Sequence, residues 1–170
     1  VSSLILESVN LYIENSASIY GYTSTNSSYI NVVNDLAQFS NIISQTEANF
    51  NFFLISGSEK DLQEYELGSD PNILSSTLSP EGLRRPTSGN SDINGMFNHV
   101  LQTVDDKNIS ILISDGIYDI GEERNPLAAL ETQGIGTRTT FIQNLKQDNT
   151  ETLVIKLTSE FDGYYYSGSK

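Results

Sequence analysis

The stretch 9-VNLYIENSAS-18 decides how the rest of the chain is read. Val9, Leu11, Tyr12 and Ile13 make a short run rich in branched and aromatic side chains, the signature of a buried strand. Glu14 ends that run, and Ser16 and Ser18 follow it at two-residue spacing. Two readings are open for an acid and two serines leaving a strand in alternation. They form a polar turn whose hydroxyls satisfy local backbone amides, or they are part of a binding site completed from elsewhere in the chain.

Three more apolar runs resemble the first: Phe50 to Ile55 (FNFFLI), Ile109 to Ile113 (ISILI) and Leu153 to Leu157 (LVIKL). Continuous apolar strands, covered on both faces, predict a mainly parallel sheet with helices on each side. Helical patterns lie between them. Tyr29, Val32, Val33, Leu36, Phe39 and Ile43 keep three-to-four spacing, and Ile93, Met96, Phe97, Val100, Leu101 and Val104 form a cleaner stripe. Ser91 or Asp92 is placed to cap that second helix. A third helix is predicted over 139–147, with Phe141, Ile142 and Leu145 inward, and a shorter one starting at Pro126 (PLAALE). The GIGTRT stretch (134–139) between these two lacks a complete phosphate-loop pattern and reads as a connection. Alternating strands and helices define an α/β domain: doubly wound, Rossmann-like, with a mainly parallel central sheet flanked by helices. The segment from Gly57 to Asn90, with Pro71, Pro80 and Pro86, is too long for a plain connection and reads as a functional loop or an insertion. Asp162-Gly163 predicts a terminal hairpin, with Tyr164, Tyr165 and Tyr166 packing on it.

Composition narrows the functional classes. A length of 170 residues suits one domain, 1–170, and 37% hydrophobic residues support a packed core. The formal charge of −13, with nine basic residues of which only Arg84-Arg85 stand together, argues against nucleic acid and against anionic membranes. It suits a cation ligand, a basic partner or plain solubility. Absence of cysteine excludes disulfides, thiolate metal sites and cysteine nucleophiles. The opening VSSLILESVN has neither a basic region nor a long apolar stretch, so no signal peptide or membrane-spanning helix is read there, and the chain looks like an excised domain. Cell-surface, extracellular and cytoplasmic locations all fit.

In an open parallel sheet, ligands collect beyond the carboxyl ends of the strands. Glu14 to Ser18 follow the first predicted strand, Ser114-Asp115-Gly116 follow the third, and TSGNSDING (87–95), with Ser88, Ser91 and Asp92, precedes the clean helix. Carboxylates mixed with hydroxyls make a hard, all-oxygen environment that suits Mg²⁺ or Mn²⁺.

These three segments, in this order and in these strand contexts, resemble the metal-ion-dependent adhesion site of von Willebrand factor type A domains, also called integrin inserted-type domains. That pattern has Asp-x-Ser-x-Ser after the first strand, a Thr in a Gly-rich loop before a helix, and an Asp in a Thr/Ser-Asp-Gly turn after the central strand. ENSAS, SGNSDING and LISDG occupy those positions here, and the similarity runs over about residues 6–166. The resemblance implies Mg²⁺ or Mn²⁺ held by the hydroxyls of Ser16, Ser18 and Ser91, with Asp115 and Glu14 supplying charge directly or through water. It also implies a non-enzymatic interaction domain whose protein partner presents an acidic side chain to the ion. Loops around Ser88, Asp92, Gly116 and Asp119 would contact that partner. Two positions depart from the pattern. Glu14 replaces Asp, adding one methylene, and Ser91 replaces Thr, losing a β-branch. The family's last helix has no counterpart before Lys170.

Two other functions compete. Glu14 in place of Asp motivates a metal-free assembly module of the same fold. Acids at strand ends also suit a metal-dependent phosphate-ester hydrolase, disfavoured because no general base accompanies them: His99 lies off its helix's apolar stripe, and no Gly-x-Ser-x-Gly elbow exists. Asp119 with Glu122 and Glu123, and Glu59, Asp61, Glu64, Glu66 and Asp70, read as solvated surface.

Overall fold

The apolar runs become strands because their alternate side chains find cover on opposite faces of one sheet. A computed structural model describes residues 5–24, 27–43, 48–57, 62–83, 91–118, 125–147 and 151–162. The strands are β1 (Ser8–Glu14), β2 (Asn49–Ser56), β3 (Gln63–Gly68) and β4 (Asn108–Ile113). The helices are α1 (Ser28–Ile43), α2 (Pro71–Thr77), α3 (Pro80–Leu83), α4 (Ile93–Gln102) and α5 (Pro126–Gln147), and a 3-10 turn lies at Ile19–Tyr22. The sheet order is β3-β2-β1-β4. β1 is central and pairs in parallel with β2 (Leu11 opposite Phe52) and with β4 (Leu11 opposite Ile111), while β3 is antiparallel at one edge. The α/β class, with a mainly parallel sheet flanked by helices, is therefore as expected.

Both faces of the sheet are covered. Leu11, Ile13, Phe50, Phe52 and Leu54 pack with Val33 and Ala37 of α1 and with Leu74, Leu78 and Leu83 from the α2–α3 region. Tyr12 and Ile55 face the other way, onto Ile93, Met96 and Val100 of α4. Each such fully buried aliphatic or aromatic side chain contributes about 1.5–3 kcal/mol. Asp92 caps α4, its Oδ1 accepting from the Gly95 amide at 3.1 Å.

Four expectations need correction. First, the middle region is not irregular throughout. It contains β3, α2 and α3, and α2 is started by Asp70, whose Oδ1 accepts from the Asn72 amide at 2.9 Å, followed by Pro71 at the first helical position. Second, the two short helices and the GIGTRT connection are one continuous helix, α5. Glycines 134 and 136 disfavour a helix locally, but contacts with α4 override that preference. A Cβ on Gly136 would stand 3.0 Å from Asn94 Nδ2, so the glycine allows close approach. Asn94 donates to the Gln133 carbonyl at 3.1 Å and accepts from the Thr137 hydroxyl, and Phe97 meets Phe141 edge-on with ring centroids 5.0 Å apart.

Third, Leu153 to Leu157 form no strand. Leu153 and Val154 are 82% and 84% exposed, and residues 151–162 run without regular structure. Tertiary bonds hold the end of the segment instead: Ser159 Oγ accepts from the Tyr29 amide at 2.9 Å, and the Asp162 amide donates to the Gly21 carbonyl at 2.7 Å. Fourth, Phe39 is 55% exposed rather than inward, because the buried stripe of α1 runs through Val33 and Ala37. The predicted hairpin from Gly163 onward and the tyrosine run lie outside the described residues.

Gly82 offers a direct test of packing in the middle region. A Cβ there would lie 2.3 Å from the Thr77 carbonyl oxygen, a backbone atom that cannot swing aside. Gly82→Ala is expected to lower stability by about 1–3 kcal/mol, measured as a fall in Tm of several degrees.

Candidate functional site

β1 lies between β2 and β4, so its carboxyl end is a switch point where chains leave toward both sides. Three segments meet there. Glu14 is the last residue of β1 and is completely buried, and Asn15 and Ser16 are buried beside it. On the β2 side, Gly57 (φ 107°) continues beyond the strand and forms a parallel bridge with Ser91, with the Asp92 amide donating to the Gly57 carbonyl at 3.0 Å. A positive φ of this kind favours glycine. That bridge sets Ser91 next to β1 although it is far away in sequence. On the β4 side, Ser114 and Asp115 form a tight turn in which Ser114 Oγ accepts from the Gly116 amide and Asp115 Oδ1 from the Ile117 amide, both at 2.9 Å. Gly116, at φ 69°, supplies the left-handed conformation that the turn requires.

The turn is held from behind by a polar chain between helices. Tyr118 Oη and Thr137 Oγ1 are 2.5 Å apart, and Thr137 also donates to Asn94 of α4. The stretch read as a loose connection thus supplies, through Thr137, the anchor for the Asp115 loop.

The side chains assemble as follows. Ser91 Oγ donates to Glu14 Oε1 at 2.5 Å. Ser16 Oγ and Ser18 Oγ are hydrogen-bonded to each other at 2.9 Å. Glu14 Oε2 and Asp115 Oδ2 are both buried, and neither has a hydrogen-bond partner among the described residues. Burial pushes the Glu14 carboxyl above its ordinary value, and the charge of Asp115 raises it further, while the hydroxyls of Ser114, Ser91 and Ser16 oppose the shift. Two acids that repel each other, each with an unpartnered oxygen, set beside the hydroxyls of Ser91, Ser114 and Ser16, make a cluster that favours positive charge. Among the described residues no three His, Asp or Glu side chains converge, so any ion here would draw on hydroxyls and water as much as on carboxylates.

All five expected ligands, Glu14, Ser16, Ser18, Ser91 and Asp115, lie on these three carboxyl-edge segments. The bond between Ser91 and Glu14, and the charge of Asp115 acting on Glu14, bring three of them together directly. Asp92 caps α4 and Gly116 serves the turn, so both have structural roles. Ser88 and Asp119 lie outside the described residues, as do Glu59, Asp61, Glu122 and Glu123.

His99 is elsewhere. Its place off the apolar stripe predicts an exposed position, but it is half-buried, and Nε2 lies 2.5 Å from Glu64 Oε2 on β3, with its ring edge-on to Tyr12. It sits six residues into α4 from Ile93, about 9 Å along the helix axis at 1.5 Å per residue.

Two contributors were not read from the sequence. Ser114 reads in the sequence only as part of a turn, and its influence on Glu14 depends on strand register. Tyr29 was counted as a core residue of its helix, yet its hydroxyl is buried and without a partner among the described residues. The available signal was its place at the start of the helix that follows ENSAS.

Fold and site together define an α/β domain with a mainly parallel sheet and a buried cluster of acids and hydroxyls at its carboxyl edge. No protein-family model matches the chain, and no curated protein does. Among solved structures it is similar to the crystal structure of an aerotolerance-related membrane protein from Bacteroides fragilis NCTC 9343 bearing multiple mutations to serines, with 18% identity and a TM-score of 0.37. That match covers 76% of this chain and 62% of the other, so the chain spans less than two thirds of that structure's length. Among the described residues no helix is long and apolar enough to cross a membrane.

Proposed function

We propose that residues 1–170 form one von Willebrand factor A-like interaction domain that captures an acidic side chain of a protein partner through a divalent cation. The observation that carries this reading is the pair of buried, unpartnered carboxylate oxygens, Glu14 Oε2 and Asp115 Oδ2, beside the Ser91 hydroxyl. A buried polar atom without a partner is costly, on the order of 1–3 kcal/mol, and a cation relieves two at once. The donor set is oxygen only, which fits Mg²⁺ or Mn²⁺ and excludes a thiolate site. Glu14, Asp115, Ser16, Ser18 and Ser91 would hold the ion, directly or through water. A bound ion of this kind supplies an electrophilic centre for an outside carboxylate. The protein's own part is to preset the oxygens: Gly57 fixes Ser91, the Ser114 turn fixes Asp115, and the Tyr118–Thr137–Asn94 chain braces that turn.

No catalytic step is proposed. His99 is engaged with Glu64 and gives the pocket no evident general base. Calorimetric titration with Mg²⁺ or Mn²⁺ tests the reading. The native chain is expected to give saturable heat, and Asp115→Ala is expected to lose at least about tenfold in affinity, since it removes a charged ligand. Absence of any saturable heat in the native chain would sink the metal reading.

A second reading is favoured by one observation, the short Ser91–Glu14 bond in a fully buried setting. A protonated Glu14 removes one of the two negative charges, and with it the repulsion from Asp115, without any ion, as a metal-free interaction module would require. The same titration separates the two readings.

A further inference from the structure

We propose that Tyr29 is a further residue of the cation site, its hydroxyl donating to water held around the ion. This inference rests on the metal reading given above. Tyr29 opens α1, the helix that follows the Ser16–Ser18 loop and the Ile19–Tyr22 turn, so the main chain itself delivers it to the carboxyl edge of the sheet. Its amide is tied to Ser159 Oγ at 2.9 Å, and its ring packs against the Tyr22 ring with centroids 6.1 Å apart. Its Oη is buried and has no partner among the described residues, a state shared at this edge by Glu14 Oε2 and Asp115 Oδ2. Burial, with the negative charges of Glu14 and Asp115 adding to it, pushes the pKa of that hydroxyl up, so it stays a neutral donor.

A neutral phenol at this point has a clear use. It can donate to water held around the ion without adding negative charge to a site that already holds two acids. Packing alone gives no reason for the hydroxyl, since phenylalanine would serve Tyr22 and the core equally well while leaving no buried polar atom unsatisfied. A charge-assisted hydrogen bond changes affinity by about ten- to hundredfold, and that is the expected loss when the hydroxyl is removed.

The test uses the whole chain and Tyr29→Phe, which keeps the ring. Binding of Mg²⁺ is followed by calorimetry. Binding of Tb³⁺, a hard-cation stand-in, is followed by its emission on exciting tyrosine, the natural sensitiser because the chain has no tryptophan. The expected result is Tb³⁺ emission that Mg²⁺ displaces, with Mg²⁺ affinity about tenfold or more weaker and emission reduced in Tyr29→Phe. Asp115→Asn serves as the control that removes the site. Unchanged Mg²⁺ affinity and emission in Tyr29→Phe, with binding lost in Asp115→Asn, would overturn the role of Tyr29 while leaving the cation site standing. No displaceable Tb³⁺ or Mg²⁺ binding in the native chain would overturn both.

Discussion

Glu14→Gln is expected to raise the Tm of the protein in EDTA and, in the same variant, to abolish stabilisation by Mg²⁺. The native carboxyl is completely buried, faces the charge of Asp115, and leaves Oε2 unpartnered. An amide keeps the shape and can still accept from Ser91, but it carries no charge into that setting. Removing a buried charge that lacks full compensation is worth on the order of 2 kcal/mol, or about 4–8 °C for a chain of this size. Mg²⁺ at a hundred times its Kd should stabilise the native chain by about 2.7 kcal/mol and the variant not at all. The dependence on pH follows from the raised pKa. In the folded state Glu14 keeps its proton at pH values where the unfolded chain, with an ordinary value of 4.5, has released it. Stability of the metal-free protein therefore falls as pH rises through that window and is fully regained below it. Metal stabilisation runs the other way, weakening as pH falls, because the ion needs the carboxylate. Thermal unfolding across pH, with EDTA and with Mg²⁺, for both chains would expose the opposite slopes. Equal slopes in native protein and variant would remove Glu14 as their source.

Phe52→Ala is expected to be the most damaging single change in the core. Phe52 is fully buried in β2, opposite Leu11 in the central parallel pair and 5.1 Å from the Phe50 ring. Truncation there removes the transfer energy of the ring and leaves a cavity between the sheet and the helices packed on that face, a loss of about 3–5 kcal/mol. Thermal unfolding should show a fall of about 10 °C or more. Phe39→Ala supplies the contrast. Periodicity placed Phe39 on the inward face of its helix, but it is more than half exposed, so its truncation should stay within about 0.5 kcal/mol. A large loss at Phe39 would mean that another surface covers it.

Among the described residues, three of the four strands and two of the five helices are legible in the sequence because their patterns are strong. Val9 to Ile13 and Phe50 to Ile55 run through the buried middle of the sheet, and burial of that kind writes itself as an apolar run, while Ile109 to Ile113 keeps such a run although β4 is an edge strand only partly buried, with Ile109 49% exposed. β3 was missed for the opposite reason. Gln63 to Glu66 are exposed on an antiparallel edge, where little selects for apolar side chains. LVIKL had the composition of a strand without the pairing, and composition does not reveal which backbone groups will be met.

By itself, the sequence determined which chemical groups this protein can bring to bear: an oxygen-only set of Glu14, Ser16, Ser18, Ser91 and Asp115, each next to an element strong enough to be read. Tertiary structure alone decided how those groups meet. The bridge from Gly57 to Ser91, the burial that leaves Glu14 Oε2 and Asp115 Oδ2 unpartnered, and the turn of Tyr29 from core residue to pocket neighbour all depend on β1 being paired on both sides. The physical reason is range. Propensity and periodicity act over a few residues, whereas desolvation and repulsion between charges depend on atoms that strand pairing brings together from about a hundred residues apart.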